Sequence, residues 1–372
     1  MKIPFNKPYL SGKELMYIED ALSRGKLSGD GFYTKQCQRF FTNTYGFKKA
    51  LLTTSCTDAL EMAALLLDIQ PGDEVIMPSF TFVSTANAFE LRGAVIHFVD
   101  SQTDHPGMDA SQITPLINAK TKAIVVVHYA GVACDMDMIM QLADAHELFV
   151  VEDAAQAIDI YYKGRVLGSI GHLGAFSFHE TKNIQCGEGG LLVINDTRFM
   201  ERAEILWEKG TNRSAFFRGE VDKYGWVDIG SSFLPSELNA AYLFAQLECL
   251  KDIQHRRKDI WEQYHTALKD WAASLGIAQP TFPDHTTNNA HMYYLICKDI
   301  EQRSALLQHL KKHGILAVFH YQSLHKSPYF KAKYTGEALA ESDRYSDCLL
   351  RLPLFYELDV DIVINALLAY EA

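Results

Sequence analysis

The chain has 372 residues and carries 46 acidic against 35 basic side chains, a formal net charge of −11, with 48% of its residues hydrophobic and 22% charged. That is the profile of a well-packed globular protein with room for two or three domains, not of a disordered or fibrous chain. The acidic balance speaks against sequence-independent binding to nucleic acid and against polybasic attachment to a membrane, since both need a positive surface.

No apolar run reaches membrane-span length: residues 123–134 are too few and are broken by His128. The first eight residues, Met1 to Pro8, lack the continuous apolar core of a signal peptide. The cysteines, at 37, 56, 134, 186, 249, 297 and 348, form no C-x-x-C pair. That scatter suits reduced thiols in a cytoplasm and neither a disulfide framework nor a metal site.

In chain order, Ser11 and Glu14 have capping-box spacing before a helix over 15–24, and a second helix over 35–45 stops at Gly46. An alternation then begins. A strand at 50–53 precedes a helix over 57–67, and Pro71-Gly72-Asp73 turns the chain into a strand at 74–78. A helix over 81–92, a strand at 95–99, a helix near 111–118, a strand at 123–127, a helix near 136–146 and a strand at 148–151 continue the pattern. Strands alternating with helices of this length predict βαβ units and a mainly parallel sheet covered on both faces.

The glycine-rich stretch 164–190 then holds strands at 175–178 and 191–194 without full helices between them. Helices follow over about 197–209, 235–250 and 251–272. The last part restarts with a strand at 291–297, a helix over 302–313, a strand at 315–319 and a terminal helix from Asp359. The expected organisation is a large α/β domain over 1–250, with a helical arm at its amino end, and a smaller α+β domain over 251–372.

In open α/β sheets ligands bind beyond the carboxyl ends of the strands. Three groups stand at such places. Thr54-Ser55-Cys56-Thr57 opens a helix, where hydroxyls and free amides form a phosphate site, although plain N-capping by Ser55 or Thr57 also explains them. Glu152-Asp153-Ala154-Ala155-Gln156 follows an apolar strand; acids there either meet a partner or lie in a solvated loop. Lys182 sits between the strand at 175–178 and Gly187-Glu188-Gly189-Gly190, where backbone can approach a ligand closely. A lysine is ordinarily a solvated surface group, but it becomes a Schiff-base nucleophile when its surroundings lower its pKa. Together the three groups match the needs of pyridoxal 5′-phosphate (PLP): a phosphate cradle, an acid for the ring nitrogen and an amine for the aldehyde.

The strings E-D-A-A-Q at 152–156, F-S-F-H-E-T-K-N at 176–183 and G-E-G-G at 187–190 resemble those of the PLP-dependent sugar aminotransferases of the DegT/DnrJ/EryC1/StrS family. The similarity runs from Pro4 to Leu354. It implies the aspartate-aminotransferase fold, type I: a large domain with a mainly parallel sheet and a smaller carboxyl-terminal α+β domain. It also implies a homodimer whose active sites are shared between subunits. Residue by residue, it makes Lys182 the attachment point of PLP and the carrier of a proton between cofactor and sugar. Asp153 becomes the partner of the ring nitrogen, Phe82 the aromatic on the ring face, and Gln156 the neighbour of the ring hydroxyl. Thr57 and Ser177, with the backbone at Cys56 and Thr57, become phosphate ligands. The family's asparagine in a G-Y-N-Y-R segment, which reaches the phosphate from the neighbouring subunit, is absent; Gly230-Ser231-Ser232-Phe233-Leu234 leaves Ser232 for that place.

His320-Tyr321-Gln322-Ser323-Leu324-His325 is similar to the family's H-Y-x-P-L-H segment near the sugar, which makes His320, Tyr321 and His325 candidates; two surface-loop histidines are the plainer alternative. Arg213, Arg218 and Lys223 gather basic charge in one segment and could meet a nucleotide diphosphate, or be offset by Glu220 and Asp222. Residues 62–78, 81–87, 127–134 and 210–214 resemble members that aminate C4 of dTDP-4-keto-6-deoxyglucose for surface polysaccharides, with glutamate as the expected donor.

The rival within the family is amination at C3. A sugar dehydratase carries histidine where Lys182 stands. A nicotinamide enzyme is disfavoured because Gly168, Gly171 and Gly174 precede a strand and open no helix. A catalytically silent regulator would need a DNA-binding module, and no basic helical extension provides one. Transamination asks that Lys182 be neutral when it acts as a base and that Asp153 stay ionised. A pocket for two phosphorylated ligands must then be positive inside an acidic protein.

Overall fold

Burial of alternating hydrophobic residues on two faces organises the main sheet of the protein, a computed structural model that describes residues 2–371. Its strands are β1 (Lys49–Thr53), β2 (Glu74–Pro78), β3 (Val95–Val99), β4 (Thr121–Val127) and β5 (Phe149–Asp153). A short hairpin, β6 (Tyr161–Tyr162) with β7 (Arg165–Val166), precedes the last two, β8 (Leu173–Ser177) and β9 (Gly190–Ile194). The order across the sheet is β1-β9-β8-β5-β4-β2-β3. Every pairing from β8 to β3 is parallel, while β9 runs antiparallel to both β8 and β1. Ile124, Val126 and Val150 belong to one hydrophobic core and Ala123, Val125 and Val151 to the other, as a period of two requires. The expected α/β fold with a mainly parallel sheet is therefore present.

The remaining chain forms a three-stranded antiparallel sheet, β10 (Tyr293–Ile296), β12 (Leu349–Leu352) and β11 (Val318–Phe319), in that order. Helices Leu250–Ala267, Ile300–Lys312 and Val360–Leu368 pack their buried faces into its core. Ile3 joins the same core and pairs with Ile315, so the amino terminus is tied to the carboxyl-terminal part of the chain. Arg257, buried on helix Leu250–Ala267, donates to the carbonyls of Ala290, His291 and Leu354 and fixes that helix to both connections.

Several elements depart from the sequence-based expectation. Residues 111–118 form two 3₁₀ turns, Ala110–Gln112 and Thr114–Leu116, because Pro115 cannot donate within a longer helix. The helix expected over 251–272 is broken at Leu268 into Leu250–Ala267 and Lys269–Ser274. The first helix, Glu14–Ser23, starts from Lys13 without a side-chain cap; Glu14 instead accepts the Ser11 and Gly12 amides at 2.7 and 3.0 Å. The hairpin, the helix Ala340–Cys348 and β12 were outside the expected set.

One buried acid holds the middle of the sheet together. Glu152, fully buried at the end of β5, accepts hydrogen bonds from the amides of Gly168 (2.7 Å), Ile170 (2.7 Å) and Gly171 (2.6 Å). Its fourth donor is His128, at 3.0 Å. The Cys134 amide donates to His128 Nδ1, so that ring atom carries no proton and Nε2–H faces Glu152. A carboxylate with four donors is satisfied without solvent, and it pins the turn that leads into β8. Glu152→Gln turns an amide NH₂ toward groups that can only donate. It should cost about 3–5 kcal/mol in urea unfolding, the usual result of breaking a buried charged network; a loss below about 1 kcal/mol contradicts this role.

Candidate active site

Thr53 pairs with Gly190, Gly190 with Ser177, and Ala175 with Asp153, so the carboxyl ends of β1, β8 and β5 meet along one edge. A cavity of about 480 Å³ opens there.

From the turn after β1 comes the start of helix Cys56–Leu66. Ser55 is its N-cap and accepts the Asp58 amide at 3.0 Å, so the capping explanation holds for that hydroxyl. The amides of Cys56 and Thr57 have no carbonyl partner within the helix, and both residues line the cavity. A Cβ on Gly190 would lie 2.4 Å from the Ser55 carbonyl; only glycine lets β9 come this close to the turn. Thr57 donates to Ser84 Oγ at 2.8 Å, and burial pushes the Cys56 thiol well up, leaving it uncharged.

From β5 comes Asp153, only 5% exposed. Its carboxylate accepts Thr85 Oγ1–H at 2.7 Å and the Ala155 amide at 3.1 Å. Burial raises its pKa, while those two bonds and the nearby Lys182 favour the charged form. From the turn after β8 come Ser177 and Lys182. Burial lowers the Lys182 amine to about 8, with the Arg351 cation adding to the effect and Cys56 and Asp153 opposing it.

Gln156 accepts the Ala130 amide at 2.6 Å, which offsets the left-handed backbone of that alanine (φ 55°), and donates to Tyr321 Oη at 3.3 Å. Phe82 stays 54% exposed at the cavity, its ring 5.8 Å from that of Tyr321. His320 lies against Tyr321 and shares a 2.9 Å hydrogen bond between its Nδ1 and Tyr129 Oη.

The cavity thus gathers Ser55, Cys56, Thr57, Phe82, Asp153, Gln156, Ser177, Lys182, His320 and Tyr321. The other candidates lie elsewhere in this chain. His325 is buried away from the cavity, with Nδ1 on Ser79 Oγ at 2.8 Å and Nε2 facing Asp343 at 3.5 Å, so it secures a loop. Arg218 is spent on Glu204 and Glu220, and Arg213 on Glu208. Lys223 and Ser232 are exposed, the latter bridged to Glu208. Sequence reasoning missed Thr85, Tyr129 and Arg351. Arg351 carried one signal, a lone charge inside the apolar run Leu349-Leu350-Arg351-Leu352.

Residues 8–368 match the DegT/DnrJ/EryC1/StrS aminotransferase family, and the chain belongs to it. Among solved structures it is similar to DesV of S. venezuelae, with 30% identity, a TM-score of 0.89 and coverage of 100% of this chain and 99% of that one. The aminotransferase TlmJ from Streptoalloteichus hindustanus gives 29% identity and a TM-score of 0.89, covering 99% and 98% of the two chains. The putative sugar aminotransferase Spr1654 from Streptococcus pneumoniae, in its PMP form, gives 27% and 0.89, covering 98% of each chain. The protein is accordingly a PLP-dependent aminotransferase with the fold of that group.

The residues present fit the cofactor. A half-buried amine, desolvated at the cavity and free of hydrogen bonds among the described residues, a buried carboxylate and two free helix amides share one cavity, and each would suit a different part of the cofactor. An amine must be neutral to attack an aldehyde. With Lys182 near 8, uptake of PLP by apo-protein, followed by absorbance, should speed up about tenfold per pH unit below roughly pH 8 and level off above it. A rate independent of pH from about 6 to 9 contradicts a lysine of this kind.

Proposed function

We propose that the enzyme moves the amino group of glutamate to C4 of dTDP-4-keto-6-deoxyglucose, giving dTDP-4-amino-4,6-dideoxygalactose for surface-polysaccharide synthesis in the cytoplasm. Transamination is supported above all by one observation: the half-buried Lys182, the Asp153 carboxylate and the amino end of helix Cys56–Leu66 share one cavity. Action on a sugar is supported by the neighbour in Streptococcus pneumoniae, itself described as a putative sugar aminotransferase. The choice of C4 is supported by the resemblance over residues 62–78, 127–134 and 210–214.

Bound PLP supplies an aldehyde for an amine and a ring that takes up the electron pair left when the carbon bearing nitrogen loses a proton. The chain does the rest. Lys182 Nζ, able to be neutral near pH 8, removes a proton from the donor's α carbon and delivers one to the sugar carbon. Asp153 holds the ring nitrogen in its protonated form, and Thr85 with the Ala155 amide keeps that carboxylate placed and charged. The Cys56 and Thr57 amides, with the Thr57 and Ser177 hydroxyls, take the phosphate, and Ser55 shapes their turn. Phe82 covers a ring face, Gln156 stands at the ring hydroxyl, and His320 and Tyr321 border the sugar.

We further propose a homodimer. The segment 213–230 exposes Phe217 (69%), Tyr224, Trp226 (84%), Val227 and Ile229, an apolar surface that a second copy would cover. Ser232 and Lys223, exposed and outside the cavity of their own chain, would then serve the partner's site, while Arg213 and Arg218, paired with Glu208, Glu204 and Glu220, would shape the segment that carries them.

Two measurements test these readings. NMR of the product made from glutamate and dTDP-4-keto-6-deoxyglucose should place nitrogen at C4 with galacto configuration; nitrogen at C3 overturns the substrate assignment. Sedimentation should show a dimer, and Trp226→Glu should weaken it on the order of thirtyfold, the usual effect of losing an aromatic anchor. A fully active monomer contradicts the shared site.

A further inference from the structure

We infer that Asn183 and His291 form the joint through which the part of the chain carrying the small sheet aims Lys182. Both are positioning residues, and the inference rests on Lys182 being the cofactor's lysine, as proposed above. Asn183 follows Lys182 directly and is buried, as is His291 in the segment that leads into β10. The Asn183 amide donates both of its protons, to Gln254 Oε1 on helix Leu250–Ala267 at 2.7 Å and to the Asn289 carbonyl at 2.8 Å. A backbone carbonyl only accepts, which fixes the end of the amide that is nitrogen. Its Oδ1 therefore faces His291 Nδ1, 2.8 Å away, and that ring nitrogen carries the proton. Burial, and the cations of Lys182, Arg351 and Arg257 nearby, hold the His291 ring well below its ordinary pKa, so it stays neutral with this one proton.

The segment before β10 is built to hold still. Asn289, fully buried, donates to the carbonyls of Gln156 at 3.0 Å and Ile158 at 2.9 Å, and its Oδ1 accepts the His291 amide at 3.0 Å. A Cβ on Gly131 would lie 2.7 Å from that oxygen, so only a glycine lets the chains close up here. Between the two anchors Ala290 keeps a left-handed backbone (φ 51°), a strained conformation for alanine that persists only where its surroundings impose it. Asn288 Oδ1 takes the Ala290 amide at 2.7 Å, and Arg257 donates to the carbonyls of Ala290 and His291. Asn183 thus hangs from a rigid support that also grips the backbone of Gln156. The Lys182 amine makes no hydrogen bond of its own among the described residues, so its aim is set by its backbone. The anchored amide one peptide unit away is what holds that backbone to the rest of the chain.

Apo-protein mixed with PLP reports that aim, because the amine must reach the aldehyde before the absorbance of attached cofactor appears. His291→Leu should slow attachment at saturating PLP on the order of thirtyfold, the scale of a displacement of under about 1 Å. The PLP concentration giving half the maximal rate should change by no more than about threefold, since the helix amides at Cys56 and Thr57 are untouched. His291→Asn, whose Nδ2 falls where Nδ1 stands, should recover the rate to within about threefold; His291→Gln, which replaces Nε2 instead, should not. Hydrogen exchange of the cofactor-free protein is the second readout. In the turn over 179–187, Lys182 and Cys186 donate their amides to the carbonyls of His179 and Phe178, each at 2.9 Å. Those amides should exchange about tenfold faster in His291→Leu and near the wild-type rate in His291→Asn. If the leucine variant does not fold, Asn183→Asp, which still accepts from His291 but cannot donate to the Asn289 carbonyl, should show both changes in its place. An unchanged attachment rate overturns the inference. So does a slowed rate with exchange over 179–187 unaltered, recovery by glutamine, or an asparagine variant as slow as leucine, since the ring would then act other than through Asn183. Attachment undiminished in Lys182→Ala refutes the reading of Lys182 itself, and this inference with it.

Discussion

Two adjacent acids at the end of β5 face opposite sides of the sheet, and the site depends on their division of labour. Side chains alternate along a strand, so Glu152 and Asp153 cannot serve the same purpose. Glu152 turns into the protein and ties three amides of the 168–171 turn and His128 to the strand. That turn feeds β8, and β8 carries Ser177 and delivers Lys182. Asp153 turns the other way into the cavity, backed by Thr85. The geometry between lysine and aspartate is therefore steadied by a network on the other face of the sheet, whose His128 also donates its amide to the Asp153 carbonyl at 3.2 Å.

The cavity does not share the acidity of the molecule. The chain is acidic by 11 charges, whereas the cavity lining sets Lys182 and Arg351 against Asp153 and Glu188, an even balance. Lys182 responds by losing affinity for its proton. Arginine keeps its charge through burial of this kind, whereas a lysine so placed can act as a base. The main sheet supplies the base and its acid; the small sheet supplies Arg351, His320 and Tyr321. In the proposed reaction, the chemistry lies on one sheet and the recognition on the other.

The alternation of strands and helices from Ala50 to Val151, apart from the 3₁₀ turns at 110–116, was legible in the sequence because each element has its own apolar period and is set off by turns such as Pro71-Gly72-Asp73. The positions of Lys182, Asp153 and the Ser55–Thr57 turn were legible for a related reason: strand ends in an open sheet are where backbone amides and polar side chains remain free. Arg351 was not, since nothing local says that the run around it is the central strand of a second sheet facing the first. Nor was the fate of His325, whose ring is claimed by Ser79 more than two hundred residues away. For Arg213 and Arg218 the sequence left open a diphosphate or an offset by Glu220 and Asp222; Arg218 pairs with Glu220 and also with Glu204, and Arg213 with Glu208, partners that no local motif marks. Short-range pattern finds the edge of a sheet; it does not find long-range pairing of charges.

The central claim is that the amine of Lys182, and no other lysine, holds the cofactor opposite Asp153. Borohydride reduction of the PLP-loaded enzyme followed by peptide mass mapping tests it most directly. The account predicts a single stable cofactor adduct on the peptide containing Lys182, lost in Lys182→Ala. An adduct on any other lysine, or one that survives that substitution at full yield, would contradict it.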